Sequence, residues 1–128
     1  MSEIIFLALA GALGTLSRYG LSGLTQRLTG SGFPYGTLVV NVLGSLIIGF
    51  IMQIGLNADV LPKTLRVVIT LGFLGAFTTF STFSYETVSY LQESAWGLAA
   101  INITANLGLC LISTALGFVL GRIMVGGA

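Results

Sequence analysis

The densest set of hydrogen-bonding groups in this chain is GFLGAFTTFSTFSYE, residues 72–86. It carries Thr78, Thr79, Ser81, Thr82 and Ser84 among Phe77, Phe80 and Phe83, and it ends on Glu86. Hydroxyl protons are donors to an anion and hydroxyl oxygens are acceptors to a cation. The electropositive edge of a phenyl ring lets Phe80 and Phe83 face a small anion as well, although aromatic stripes more often belong to a core. A second polar set, Thr37, Asn41 and Ser45, recurs at i, i+4 and i+8 and shares one helix face. Asn41 stands among Val39, Val40, Val42 and Leu43, so its amide needs a partner. The stripe either joins helices by interhelical hydrogen bonds or lines a wet path.

Two charges lie in apolar surroundings. Arg18 interrupts an otherwise uncharged run, and a guanidinium at mid-helix costs about 2.5–3.5 kcal/mol to insert into a bilayer. Arg18 therefore snorkels toward the end of its helix, or it faces protein or water as a fixed positive charge that draws anions into a vestibule. Glu86 has parallel readings, an ion pair or a polar lining at a pore mouth.

Other chemistry is absent from the sequence. There is no histidine, no carboxylate pair at metal-ligand spacing, no Cys-x-x-Cys and no nucleotide loop, so the usual hydrolytic, metal and cofactor motifs are missing. No enzyme is expected. Lys and Arg total five against four Asp and Glu, without a basic cluster, which argues against a nucleic-acid partner. The lone Cys110 sits in an apolar run and reads as packing.

These groups must be positioned by membrane-spanning helices. Of the 128 residues 55 % are hydrophobic and 7 % charged, against about 25 % charged in soluble domains. One spanning helix needs about 20 mostly apolar residues, so the chain has room for a single four-span domain. The expected spans are about 4–25, 35–56, 64–91 and 95–121, separated by TGSGFP (29–34), NADVLPK (57–63) and the polar residues 92–94. Ala8-Leu9-Ala10 resembles a signal-peptidase site, but the preceding apolar run is short and Glu3 replaces the usual cation. The first helix is expected to be retained.

Four spans put Lys63, Arg66 and Arg122 on one side and Arg27, with Arg18 at most, on the other. Orientation follows Lys/Arg asymmetry, and so small a bias predicts that both orientations are accessible. Gly117/Gly121, Ala8/Ala12, Ala10/Gly14 and Ser45/Gly49 are spaced for close helix approach, within the chain and between subunits of an oligomer.

On a helical wheel of about 100° per residue, the hydroxyls of 78–84 nearly surround the axis. A lipid-facing helix cannot carry that pattern, so the stretch is enclosed by protein or is not one continuous helix. Gly72 and Gly75 favour a break. Irregular backbone at membrane depth is tolerated where it is buried in protein or lines a cavity, and freed carbonyls can hold a hard cation such as sodium.

The stretch GTLVVN at 36–41, the arginine in the first span, GxxGxxTTFSTFSxE at 72–86 and TALG at 114–117 together resemble the Fluc (CrcB) fluoride channel family over essentially the whole chain. The resemblance implies an all-α membrane protein with four transmembrane helices, the third broken mid-membrane, assembled as an antiparallel, dual-topology homodimer. It implies a fluoride-selective passive channel with two pores that exports fluoride across the bacterial cytoplasmic membrane. A structural Na+ at the dimer interface would be held by the backbone carbonyls of Gly75 and Thr78. Phe80, Phe83 and Asn41 match pore residues, Thr82 and Thr114 match a polar track, Ser81 and Thr37 join the same pathway, and Arg18 and Glu86 match the charged vestibule and the acidic end of the motif. Cys110 stands where some related sequences have Ser. Two other readings fit four short spans: a small multidrug-type exporter coupled to protons, for which only Glu86 offers a membrane carboxylate, and a non-transporting assembly subunit.

Overall fold

The computed structural model describes residues 1–30, 32–56 and 60–126, and among them every regular element is helical. Helix α1 spans Ser2–Thr29 and α2 spans Tyr35–Gly55. The third span begins with α3, Lys63–Val67, widens into a π-helical stretch at Val68–Leu74 and closes with the single turn α4, Gly75–Phe77. Thr78 and Thr79 then adopt extended backbone, with φ/ψ of −90°/160° and −149°/116°, before α5 begins at Phe80 and runs to Gln92. Helix α6, Trp96–Met124, completes the chain. Four helical stretches, Ser2–Thr29, Tyr35–Gly55, Lys63–Gln92 and Trp96–Met124, are long and apolar enough to cross a membrane.

The span ends lie close to those expected from hydropathy, apart from the first. Helix α1 continues past Thr25 through Gln26, Arg27 and Leu28, because polar residues extend a helix beyond its apolar window. It stops at Gly30, whose φ of 56° is left-handed and whose N–H bonds to the Gln26 carbonyl, a glycine C-cap. The Gln26 side chain holds the following turn, donating to the Phe33 carbonyl at 3.0 Å and accepting from the Gly36 N–H at 3.2 Å. The 57–63 turn was expected from Asn57, Asp59 and Pro62; Asn57 and Asp59 lie outside the described residues.

Small residues decide which helices touch. A Cβ on Gly117 would overlap the Leu46 carbonyl and the Phe50 nitrogen, and one on Gly49 would overlap the Thr114 carbonyl. The two small-residue pairs thus face one another, and α2 and α6 pack backbone to backbone. On the other side Gly14 of α1 lies against the Phe73 carbonyl, and Gly72 lies against Ala10, so the Ala10/Gly14 pair receives the π-helical stretch. Ala8 and Ala12 stay exposed. Between these contacts sits a small core of Val40, Leu74 and Phe77, packed by Leu21, Ile47, Ile48, Ile69 and Phe73.

Candidate functional site

Everything of chemical interest gathers around Thr78 and Thr79. Their extended backbone interrupts the third span, and an interruption leaves helix-terminal N–H and C=O groups without their i, i+4 partners. Asn41 of α2 meets the gap directly. Its Oδ1 accepts the Thr79 N–H at 2.8 Å, and its Nδ2 donates to the Thr79 carbonyl at 3.0 Å. One amide side chain therefore satisfies both backbone groups of Thr79, as a neighbouring strand would. The second Nδ2 proton goes to Asn106 Oδ1 at 3.2 Å.

The remaining hydroxyls hold the two helix ends. Thr78 Oγ1 and the Thr78 N–H both donate to the Leu74 carbonyl at 3.0 Å. Thr79 is the N-cap of α5: its Oγ1 accepts the Thr82 N–H at 3.1 Å and donates to Thr82 Oγ1 at 2.9 Å. These commitments have a consequence for two carbonyls. The i+4 donor of Gly75 is the Thr79 N–H, held by Asn41, and that of Thr78 is the Thr82 N–H, held by Thr79. The oxygens of Gly75 and Thr78 thus lose their helical donors to side chains.

Arg18 does not snorkel to its helix end. It is half-buried, and its Nε donates to the Ala76 carbonyl at 2.9 Å, placing positive charge at the C-terminal end of α4. Glu86 has no cationic partner in a salt bridge among the described residues. Its Oε2 accepts from Thr37 Oγ1 at 2.6 Å, while Oε1 is buried without a hydrogen-bond partner among the described residues.

Two grooves flank the break. The first, of about 330 Å³, is lined by Asn41, Ser45, Gly75, Thr78, Phe80 and Phe83, among others. The second, of about 450 Å³, is lined by Thr37, Thr82, Tyr85, Glu86 and Tyr90 with their neighbours. Thr79 lines the first and Thr82 the second, so the Thr79–Thr82 hydroxyl bond lies between them. The three phenylalanines at i, i+3 and i+6 part company at the break. Phe77 is core and stacks on Phe73, with centroids 5.7 Å apart. Phe80 and Phe83 form a tilted pair at 5.4 Å and 60°, with Phe80 72 % exposed and Phe83 7 %.

The single chain thus brings Asn41, Gly75, Thr78, Phe80 and Phe83 to one groove and Thr37, Thr82 and Glu86 to the other. It leaves Ser81 exposed, within 3.4 Å of Thr79 Oγ1. Thr114 lines neither groove and bonds the Ser45 carbonyl at 3.2 Å, between α6 and α2. Cys110 lines the first groove as a half-buried free thiol. Three residues outside the expected set prove central: Asn102, Asn106 and Thr87, all buried and hydrogen-bonded to one another or to Asn41. Their signal in the sequence was the i, i+4 spacing of Asn102 and Asn106 within an uncharged span.

The chain has relatives among known proteins. A family model described as "CrcB-like protein, Camphor Resistance (CrcB)" matches residues 5–118. A protein of Dehalococcoides mccartyi named "Fluoride-specific ion channel FluC" is 49 % identical over 124 residues, covering 97 % of this chain and 95 % of its own. Proteins of the same name from Geobacter metallireducens and Syntrophotalea carbinolica are 48 % and 47 % identical, covering 95 % and 94 % of this chain and 98 % of each relative.

Proposed function

The chain belongs to the CrcB family, and from that membership we propose that it is a passive, fluoride-selective channel. It is a multi-pass membrane protein, and it is not an enzyme. The observation that carries the channel reading is the pair of grooves on either side of the Thr79–Thr82 hydroxyl bond. Glu86, Thr37 and Thr82 lie at one end, Asn41 and the Phe80–Phe83 pair at the other. Apart from Glu86 these pathway groups are uncharged, which suits a small anion that must enter without binding too tightly to leave.

Hydroxyl protons of Thr82 and Ser81, and the ring edges of Phe80 and Phe83, supply weak donors along this route. Arg18 supplies positive charge beside the break. We assign the interruption at Thr78–Thr79 to mid-membrane depth, where irregular backbone survives against protein or a cavity.

A Na+ ion fits the chemistry of the break. Among the described residues no three His, Cys, Asp or Glu side chains cluster, and the break offers neutral oxygens, carbonyls among them. Those of Gly75 and Thr78 have lost their helical donors and belong to groove-lining residues. Hard cations take several oxygen ligands, and two are too few. A second copy related by a two-fold axis would double the set, and the proposed dimer would also cover Phe80, Ser81, Ser84 and Tyr85, which a single chain leaves exposed. The proposed assembly is therefore an antiparallel, dual-topology homodimer with two pores and a structural sodium between the copies, exporting fluoride across the bacterial cytoplasmic membrane. Thr114, which lines neither groove of the single chain, is assigned to the pathway only in that assembly.

The test is fluoride efflux from liposomes containing the purified protein, driven by a fluoride gradient. Rapid fluoride loss that spares chloride is expected. No fluoride loss would defeat the channel reading, and proton-driven uptake of a lipophilic cation abolished by Glu86→Gln would install the exporter instead.

A further inference from the structure

Asn41 does not end its chain of hydrogen bonds at Asn106. Asn106 Nδ2 donates to both the backbone carbonyl and Oδ1 of Asn102 at 3.0 Å. Asn102 Nδ2 donates to Thr87 Oγ1 at 3.0 Å, and Thr87 Oγ1 donates to the Phe83 carbonyl at 2.9 Å. Asn102 is 0 % exposed, and Asn106, Thr87 and Asn41 are buried with it. The four side chains thus link two backbone groups of the same short segment, the N–H of Thr79 and the C=O of Phe83, by passing through α2 and α6.

The direction of this chain is fixed. The Thr79 N–H can only donate, so Asn41 must present Oδ1 to it and Nδ2 to Asn106. Asn106 must then answer with Oδ1 and turn Nδ2 toward Asn102, and Asn102 must accept with Oδ1 and donate with Nδ2. Thr87, accepting from Asn102, has its single proton left for the Phe83 carbonyl, which can only accept. Donor and acceptor at the two ends agree with every amide between them, so no member can flip without leaving a buried polar group unpaired.

We propose that Asn106, Asn102 and Thr87 are positioning residues for the anion pathway: a one-way relay that holds the Asn41 amide against Thr79 and holds the turn of α5 that bears Phe83. Asn102 and Thr87 line neither groove, so they act through Asn41 and Phe83. The flux part of this inference rests on the fluoride-channel reading; the backbone part does not.

Thr87→Val keeps the shape and removes the hydroxyl, and Thr87→Ser restores it. In liposome efflux, a positioning role slows the rate in those vesicles that empty, whereas a merely structural role reduces the number of vesicles that empty and leaves their rate alone. The expected result is a rate about threefold lower for Thr87→Val, from the loss of one interhelical bond of average membrane strength, with Thr87→Ser near wild type. A wild-type rate per emptying vesicle in Thr87→Val overturns the proposal. Asn106 lines the groove itself, so its end of the relay is read by backbone hydrogen exchange: Asn106→Leu should speed exchange at the Thr79 N–H. Unchanged Thr79 exchange also overturns the relay, and it does so even if wild-type protein carries no fluoride, an outcome that would sink the channel reading alone.

Discussion

Replacing Asn41 by leucine, branched in the same way and without polar atoms, removes three hydrogen bonds at once: 2.8 and 3.0 Å to the backbone of Thr79 and 3.2 Å to Asn106. Interhelical bonds in membranes average about 0.6 kcal/mol and reach roughly 1.7, so the three together contribute about 2 to 5 kcal/mol. The competing state is specific. Without Asn41, the Thr79 N–H is free to return to the Gly75 carbonyl and continue the helix, which withdraws that carbonyl from any ion. The interrupted backbone should then lose population to the closed helix by roughly 20-fold at the low end and several thousand-fold at the high end. Fluoride efflux from liposomes should fall by more than about tenfold on the same scale, while protein in detergent still elutes at the wild-type assembly size. Efflux within about twofold of wild type, with Thr79 exchange unchanged, would refute the reasoning, because a twofold change is only about 0.4 kcal/mol, less than the least the three bonds supply.

The other expectations are shorter to state. Phe80→Ile should lower fluoride efflux with little change in thermal stability of the isolated chain, because Phe80 is 72 % exposed there; Phe83→Ile should lower both, because Phe83 is 7 % exposed. Wild-type efflux in both variants would reduce the rings to packing. Gly117→Ala drives a Cβ into the α2 backbone and should abolish monodisperse protein on gel filtration. Gly108→Ala, with nothing within 4 Å of its Cβ, should leave elution unchanged and raise stability by about 0.5–1 kcal/mol. Exchanging sodium for a large organic cation throughout purification should impair assembly or efflux, and unimpaired behaviour in both would count against a carbonyl-bound ion.

Much of the architecture was readable from residue order. Charge-free runs gave the four spans, and the crowding of hydroxyls around one axis argued against a plain lipid-facing helix at 78–84. What pattern could not supply was the partner of each polar group. Arg18 allowed two readings because its reach covers both the helix end and the neighbouring span; packing of Gly14 against Phe73 brings the Ala76 carbonyl within 2.9 Å and decides the matter. Phe77, Phe80 and Phe83 looked equivalent by spacing, but a helix wheel assumes continuous helix, and the extended Thr78 and Thr79 put Phe77 on a different element from the other two. Asn102 and Asn106 were visible as polar residues in an apolar span, yet their role depends on a bond to Asn41 across 65 residues of sequence, which no local period encodes. The π-helical stretch at Val68–Leu74 left no recognisable mark either.

The choice of hydroxyls over amides along the third span also has a physical account. A threonine hydroxyl can donate to the carbonyl four residues earlier on its own helix, and Thr29, Thr70, Thr78 and Thr87 all do so, to Thr25, Arg66, Leu74 and Phe83. Such a residue satisfies its own donor in an apolar environment while its oxygen stays open to another partner, as Thr87 shows with Asn102. A hydroxyl can therefore be placed at membrane depth without a dedicated partner, and its proton can be turned outward when an anion arrives. An asparagine has two donors and a carbonyl oxygen to satisfy and no comparable local solution, so Asn41, Asn102 and Asn106 are all buried together in one network. On the proposed reading the amides, with Thr87, hold the interruption in fixed geometry, and the groove-lining hydroxyls offer a passing ion donors that are easily redirected. On this logic Thr82→Val should impair fluoride efflux more than Thr29→Val, since Thr82 Oγ1 accepts from Thr79 between the two grooves and Thr29 lines neither of them. Equal effects of the two substitutions on efflux would break the link between redirectable hydroxyls and the pathway.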